Sequence, residues 1–205
     1  DSANHEKKMI GMKMLDYKLD GVRVLAIYNK DNNTVTMYSR NGKQFLNFGH
    51  VEKEIIDKLS SKFTESMVLD GEMVSSSFQA LMKQVHRKSG AKTDDAFLAL
   101  FDCLPLNEFN LGKSKLKNFE RKNFLDDMSE QFEKCIRLVD YETIDFDTED
   151  GQSKFAKMNN EALEKGYEGL MIKPMNDYYE CKRSHAWLKI KPFIENIIQH
   201  IWLRI

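Results

Sequence analysis

The segment Asp16-Tyr17-Lys18-Leu19-Asp20-Gly21-Val22-Arg23 lies between two apolar-rich stretches, Met9 to Tyr17 and Val22 to Tyr28. A third stretch, Thr34 to Ser39, alternates behind the turn residues Asp31-Asn32-Asn33. Period-two alternation broken by Asp-Gly and Asn-rich punctuation is the pattern of half-buried strands, so residues 1–40 read as a strand meander with Lys18 at a strand end or turn. A chain that opens this way must build its core around a sheet.

Helical spacing then alternates with further strands. Val51, Ile55, Ile56 and Leu59 predict a helix over His50 to Lys62, and Met67 to Val74 reads as a strand interrupted by Asp70-Gly71-Glu72. Phe78 to Lys88 is a predicted helix carrying Leu81, Met82 and Val85 on one side, followed by a polar loop and an apolar strand, Ala96 to Leu104. Leu116 to Cys135 reads as one amphipathic helix, with the charges within 117–134 on its surface. Ser153 to Lys165 predicts a third helix stopped by Gly166, and Leu170-Met171-Ile172 and Trp187 to Ile190 two short strands. No Pro/Gly-rich linker divides the 205 residues, which predicts a mixed α+β domain built on antiparallel sheets flanked by helices.

With 31 basic and 32 acidic residues, the formal charge is −1, so the chain does not coat nucleic acid by bulk electrostatics and any polyanion contact is local. One basic stretch, Lys83, His86, Arg87, Lys88 and Lys92, suits either a DNA backbone or water. Cys103, Cys135 and Cys181 lack C-x-x-C spacing and read as free thiols, and the histidines show no ligand spacing. No apolar run reaches membrane-spanning length and the start lacks a signal peptide's apolar core, so a cytoplasmic monomer without membrane contact is the expectation.

Taken alone, Lys18-Leu19-Asp20-Gly21 fits a hairpin turn as well as a reactive site. Five later segments shift the balance: Ser39-Arg40-Asn41-Gly42, Leu69-Asp70-Gly71-Glu72, Phe101-Asp102, Glu168-Gly169-Leu170-Met171-Ile172-Lys173 and Trp187-Leu188-Lys189-Ile190-Lys191. Together with the K-x-D-G-x-R segment, and in this order, they resemble the motifs of the covalent nucleotidyltransferases, above all the ATP-dependent DNA ligases. The resemblance runs from about Asp16 to Pro192.

It implies a nucleotidyltransferase (ATP-grasp-like) adenylation domain over residues 1–193, with 194–205 as a short apolar tail. It also implies a chemistry. Lys18 would attack the α-phosphate of ATP, expel pyrophosphate and hold AMP as a phosphoramidate, which then passes to the 5′-phosphate of nicked double-stranded DNA. Asp16 would receive the adenine amine, Phe101 would stack on adenine, and Arg23 and Arg40 would lie near ribose and phosphate. Lys173, Lys189 and Lys191 would form a phosphate-binding cluster. Glu168 is the implied magnesium carboxylate, with Glu72 at the ribose or supporting the metal. The residue types suit that work. An ordinary lysine is charged at neutral pH and must be desolvated or set among cations before it attacks. Nucleotidyl transfer needs its phosphate charge neutralised, and carboxylates beside phosphates suit magnesium.

The chain departs from the full ligase pattern after Lys191, where residues 193–205 are too few for the five-stranded OB-fold domain of such enzymes. Poor sealing of nicks by this chain alone is the expectation. The implied setting is replication, repair or recombination, in a host cytoplasm if viral or a nucleus if eukaryotic. Two rival readings stand beside it: an RNA ligase or mRNA-capping guanylyltransferase, and a catalytically silent nucleotide- or DNA-binding fragment.

Overall fold

Apolar side chains alternating along the strands leave one face of each sheet for the core and the other for polar work. A computed structural model describes residues 9–76, 81–82, 95–182 and 186–191. Strands β2 (Val22–Asn29), β3 (Thr34–Ser39), β4 (Gln44–Phe45), β5 (Met67–Val74), β6 (Phe97–Pro105) and β8 (Ile136–Leu138) form a six-stranded sheet in the order β4-β3-β2-β5-β6-β8. A four-stranded sheet, β12-β10-β1-β9, joins β1 (Met12–Lys18), β9 (Tyr141–Asp145), β10 (Gly169–Pro174) and β12 (Leu188–Ile190). A ribbon pairs β7 (Lys113–Lys117) with β11 (Tyr178–Glu180). Neighbours are antiparallel except β6 and β8, which run parallel.

The helices are α1 (Gly49–Glu54), which tightens through a π turn Ile55–Leu59 and a 3₁₀ turn Ser60–Lys62, α2 (Leu106–Asn110), α3 (Asn118–Ser129) and α4 (Glu149–Glu164). One face of the larger sheet, with Val24, Ala26, Met37, Leu69, Met73, Leu98 and Leu100, packs against Val51, Ile55 and Leu59 and against Leu125 and Met128 of α3. The apolar face of the smaller sheet, with Leu15, Tyr17, Leu170, Ile172 and Ile190, packs against Met158 and Ala162 of α4. Cores of this size bury enough apolar area to fix the strand register, since a one-residue slip would turn every core side chain outward.

Five expectations need correction. Residues 1–40 are not a meander, because β1 and β2 belong to different sheets and Leu19-Asp20-Gly21 is the crossover between them; the hairpin is β2–β3. At Gly21 a Cβ would lie 2.3 Å from the Met73 carbonyl oxygen, so the crossover hugs β5 in a way only glycine permits. Strand β5 runs unbroken through Asp70-Gly71-Glu72, and the irregularity falls on its neighbour, where the register steps from Asp70↔Asp102 to Gly71↔Leu100 and leaves Phe101 as the extra residue.

Leu116 to Cys135 is not one helix, since Leu116 lies in β7, which is held by pairing with β11, and α3 ends at Ser129. Nor are the charges of 117–134 all on its surface: Arg121 and Lys122 are buried, each with a buried carboxylate as partner. Helix α4 begins a turn earlier than Ser153, where the Thr148 hydroxyl accepts from Gly151 N at 3.0 Å, and beyond its end Gly166 adopts φ +68°. The three cysteines are free. The Phe78 to Lys88 helix falls mainly outside the described residues, and the basic stretch at Lys83 to Lys92 and the tail at 194–205 lie wholly outside them.

Candidate functional site

Strand pairing sets the side chains before any contact is considered. On β1, Asp16 and Lys18 share a face, opposite Met171 and Gly169 of β10, and Met171 pairs in turn with Lys189 of β12. Lys173, two residues on from Met171, lies on the same face. In the larger sheet Arg23 pairs with Glu72, and Asp70 and Glu72 point away from the apolar core. The bulge at Phe101 matters here, because it lets consecutive residues Phe101 and Asp102 both leave that core, whose β6 members pass from Leu98 and Leu100 to Cys103.

The two polar faces meet around Lys18. Its ammonium, a quarter exposed, bonds to Glu168 Oε2, while Glu168 Oε1 lies 3.1 Å from Lys189 Nζ. One carboxylate thus ties β1 to β12 through two lysines. Gly169 makes this possible: it adopts φ +139°, and a Cβ there would lie 1.9 Å from the Ile190 carbonyl oxygen. Burial and the nearby Lys189 push the Lys18 pKa below its ordinary value, against the opposing pull of Glu72 and Asp20. Burial pushes Glu72 up to about 7, against the pull of Lys18.

Beside this centre, two cations approach the Phe101 ring, with Lys173 Nζ 5.0 Å and the Arg23 guanidinium 5.8 Å from its centroid. Lys173 also lies 4.3 Å from the Trp187 ring and bonds to Asp16 Oδ2. Arg23 grips Asp70 with two bonds, Nε–Oδ1 at 3.0 Å and an Nη at 2.6 Å from Oδ2, and Tyr179 donates to the same Oδ2 at 2.8 Å. Burial alone would lower the guanidinium pKa, but Asp70 and Tyr179 hold it above its ordinary value.

The structure therefore brings together Asp16, Lys18, Arg23, Glu72, Phe101, Glu168, Lys173 and Lys189. It leaves two expected members apart: Arg40 is exposed in the turn after β3, and Lys191 is exposed immediately past β12. Neither makes a described contact with the cluster. Lys173, foreseen as a member of a phosphate-binding lysine cluster, is only 2% exposed, and Asp16, foreseen as an adenine acceptor, is 1% exposed and engaged by lysines.

Sequence reasoning missed a layer beneath this site. Arg121 makes a two-pronged pair with Asp102, at 2.7 and 2.9 Å, and donates to the Leu116 carbonyl at 2.7 Å. Lys122 Nζ lies 3.3 Å from Asp16 Oδ1. The available signal was spacing: Arg121 and Lys122 stand four and three residues before the apolar Leu125 on the same helical stripe, and such residues are almost never buried without a partner. Among the described residues no cluster of three or more His, Cys, Asp or Glu side chains could cage a metal, and no helix is long and apolar enough to cross a membrane.

Known proteins resemble this chain in sequence and fold. Residues 2–191 match the family described as the ATP dependent DNA ligase domain. The DNA ligase of vaccinia virus, strain Western Reserve, is 33% identical over 200 residues, covering 93% of this chain and 34% of that protein. A solved structure named Pmar-Lig_PreS3 is 50% identical, with a TM-score of 0.86 over 95% of this chain and 45% of that one. The ATP-dependent DNA ligase of bacteriophage T7, solved with ATP, superposes with a TM-score of 0.67 at 20% identity over 94% of this chain and 66% of that one, a likeness of fold. The chain spans about a third of the length of the curated relatives it matches. Matched across nearly its whole length, this chain belongs to the ATP-dependent DNA ligase domain family.

Proposed function

We propose that this chain is the nucleotide-charging domain of an ATP-dependent DNA ligase, in which Lys18 becomes covalently bound to AMP and the AMP then passes to the 5′-phosphate of nicked DNA. The observation that carries the reading is the position of Lys18: half-buried at the end of β1, with Glu72 of β5, Lys189 of β12 and Glu168, from the turn before β10, gathered around it. Burial and a neighbouring ammonium favour the neutral amine that the attack requires. As the N–P bond forms, the bond from the α-phosphorus to the pyrophosphate oxygen breaks, one proton of the neutral amine leaves to solvent and the other stays on the phosphoramidate nitrogen.

The remaining residues fit the rest of the nucleotide. Phe101 offers a ring face to adenine, and Lys189 and Lys173 supply positive charge for the phosphates. Arg40 and Lys191, exposed just past β3 and β12, are left for DNA or for the outer phosphates. Glu168 and Glu72 flank Lys18 and suit magnesium, which takes one or two carboxylates and completes its shell with water and phosphate. Bound there, the ion would supply neutralisation of phosphate charge. The partner is nicked double-stranded DNA, and the domain is one unit over residues 1–193.

Intact mass spectrometry after incubation with magnesium and ATP, GTP or NAD tests this. One AMP gained from ATP, absent in Lys18→Ala with an unchanged melting temperature, is the expected outcome. GMP gained from GTP would transfer the reading to a capping enzyme, and no adduct from any nucleotide would refute it.

A further inference from the structure

The layer under the site sets four cations, three of them buried and the fourth the partly exposed Arg23, against three buried carboxylates. Three carboxylates, Asp16, Asp70 and Asp102, each at most 1% exposed, face the cations Arg23, Arg121, Lys122 and Lys173. Arg23 and Arg121 each have an aspartate of their own, held by two bonds. Asp16 is the only one of the three with two cations, Lys173 from β10 on Oδ2 and Lys122 from α3 on Oδ1.

Lys122 is 2% exposed and belongs to none of the six motif segments. Its ammonium sits 4.3 Å from the Tyr141 ring, whose hydroxyl donates to Asp126, and at 3.3 Å from Asp16 neither it nor Asp16 Oδ1 completes a hydrogen bond. Desolvation and the nearby Lys173 push its pKa below the ordinary value, while Asp16 opposes them. A charge in that position costs stability, because a buried ammonium repays its lost hydration only with good bonds. Fold maintenance does not call for it; a methionine of similar length would fill the space.

We propose that Lys122 is a positioning residue of the nucleotide site: by sharing Asp16 with Lys173, it leaves the floor of the site with an unneutralised positive charge and keeps Lys173 turned toward an incoming triphosphate. Without Lys122, Asp16 and Lys173 form a closed neutral pair. With it, the pair carries a net +1 that a polyphosphate relieves on binding. The residue acts through Asp16 and Lys173 and touches no substrate atom. The inference rests on the nucleotide site proposed above.

The magnitude follows from Coulomb's law: at an effective dielectric of about 20 and a separation of roughly 10 Å, one unit charge is worth about tenfold in affinity. Three measurements on the full chain decide the matter: binding of inorganic triphosphate by calorimetry, the rate and half-saturation of ATP-dependent AMP labelling, and the melting temperature. Lys122→Met is expected to weaken triphosphate binding about tenfold and raise the half-saturating ATP concentration similarly, with a melting temperature equal to or above that of the parent. Lys122→Arg, which keeps the charge, is expected to recover most of the loss, and Lys122→Gln to behave like the methionine variant.

Triphosphate affinity within twofold of the parent in Lys122→Met overturns the inference, as does unfolding of both neutral variants, which would make Lys122 a structural residue. The two readings separate cleanly. A parent chain that binds triphosphate, loses it in Lys122→Met and yet forms no AMP adduct upholds Lys122 and refutes the ligase chemistry. A parent that gains AMP while Lys122→Met binds and labels normally does the reverse, and a parent that neither binds nor labels refutes both.

Discussion

Replacing Gly169 by Ala puts the link between fold and site under direct test. The alanine Cβ would lie 1.9 Å from the Ile190 carbonyl oxygen, and Cβ contacts under 3.0 Å essentially never occur, so β12 must retreat by at least about 1 Å. A φ of +139° adds strain of about 1–3 kcal/mol for any residue with a side chain. The retreat strains the pairing of Leu170 with Ile190 and Met171 with Lys189, and loss of two ladder bonds at about 1 kcal/mol each brings the total to roughly 3–5 kcal/mol. For a chain of this size that is a fall of roughly 6–20 °C in melting temperature.

The same movement draws Lys189 from Glu168, which it now approaches to 3.1 Å, and frees Glu168 to swing from Lys18. Misplacement of about 1 Å at a reacting centre costs about a hundredfold in rate. The assay is AMP labelling at a temperature where the variant remains folded by circular dichroism, alongside thermal melting. A variant that melts within 2 °C of the parent and labels at the same rate would refute the argument that this glycine sets the β10–β12 approach.

Three other outcomes are expected. Glu54, 8% exposed, accepts backbone N–H bonds from Glu133, Lys134, Cys135 and Ile136 at 2.8–3.2 Å, so Glu54→Gln should cost about 2–3 kcal/mol at neutral pH by chemical denaturation. Burial alone would raise this carboxyl's pKa, but those donors hold it below the ordinary 4.5. Its contribution is therefore present above pH 4.5 and lost as pH falls through the folded value, and the gap between parent and variant should close in acid. Arg121→Met leaves Asp102 buried without its partner and should cost about 3–5 kcal/mol in the same assay, because breaking a buried pair strands a charge. Phe101→Ala should weaken ATP binding by about 1–3 kcal/mol, the worth of one base stacked on an aromatic ring, measured by calorimetry, with triphosphate binding little changed.

The α+β class, the positions of β2, β3, β6 and β10, and most of the residues that gather around Lys18 were legible from residue order, because alternation, turn residues and motif spacing are local properties. That Lys18, Glu72, Phe101, Glu168 and Lys189 converge was implied by resemblance; spacing alone could not say it, since they lie on four strands of two sheets and on the turn before β10. The meander reading failed because Leu19-Asp20-Gly21 looks the same whether it closes a hairpin or crosses between sheets, and only the packing of Gly21 against Met73 distinguishes the two.

What tertiary structure decided was the electrostatics. Lys122 and Arg121 read as solvated helix charges because burial depends on what covers a helix face, and here the covering carboxylates, Asp16 and Asp102, come from strands 106 and 19 residues earlier in the chain. The bulge at Phe101 is equally invisible beforehand, since its cause is a register set by β5. Local sequence thus determined which groups this protein possesses, and the meeting of its two sheets determined which are buried, which are paired, and which face the site.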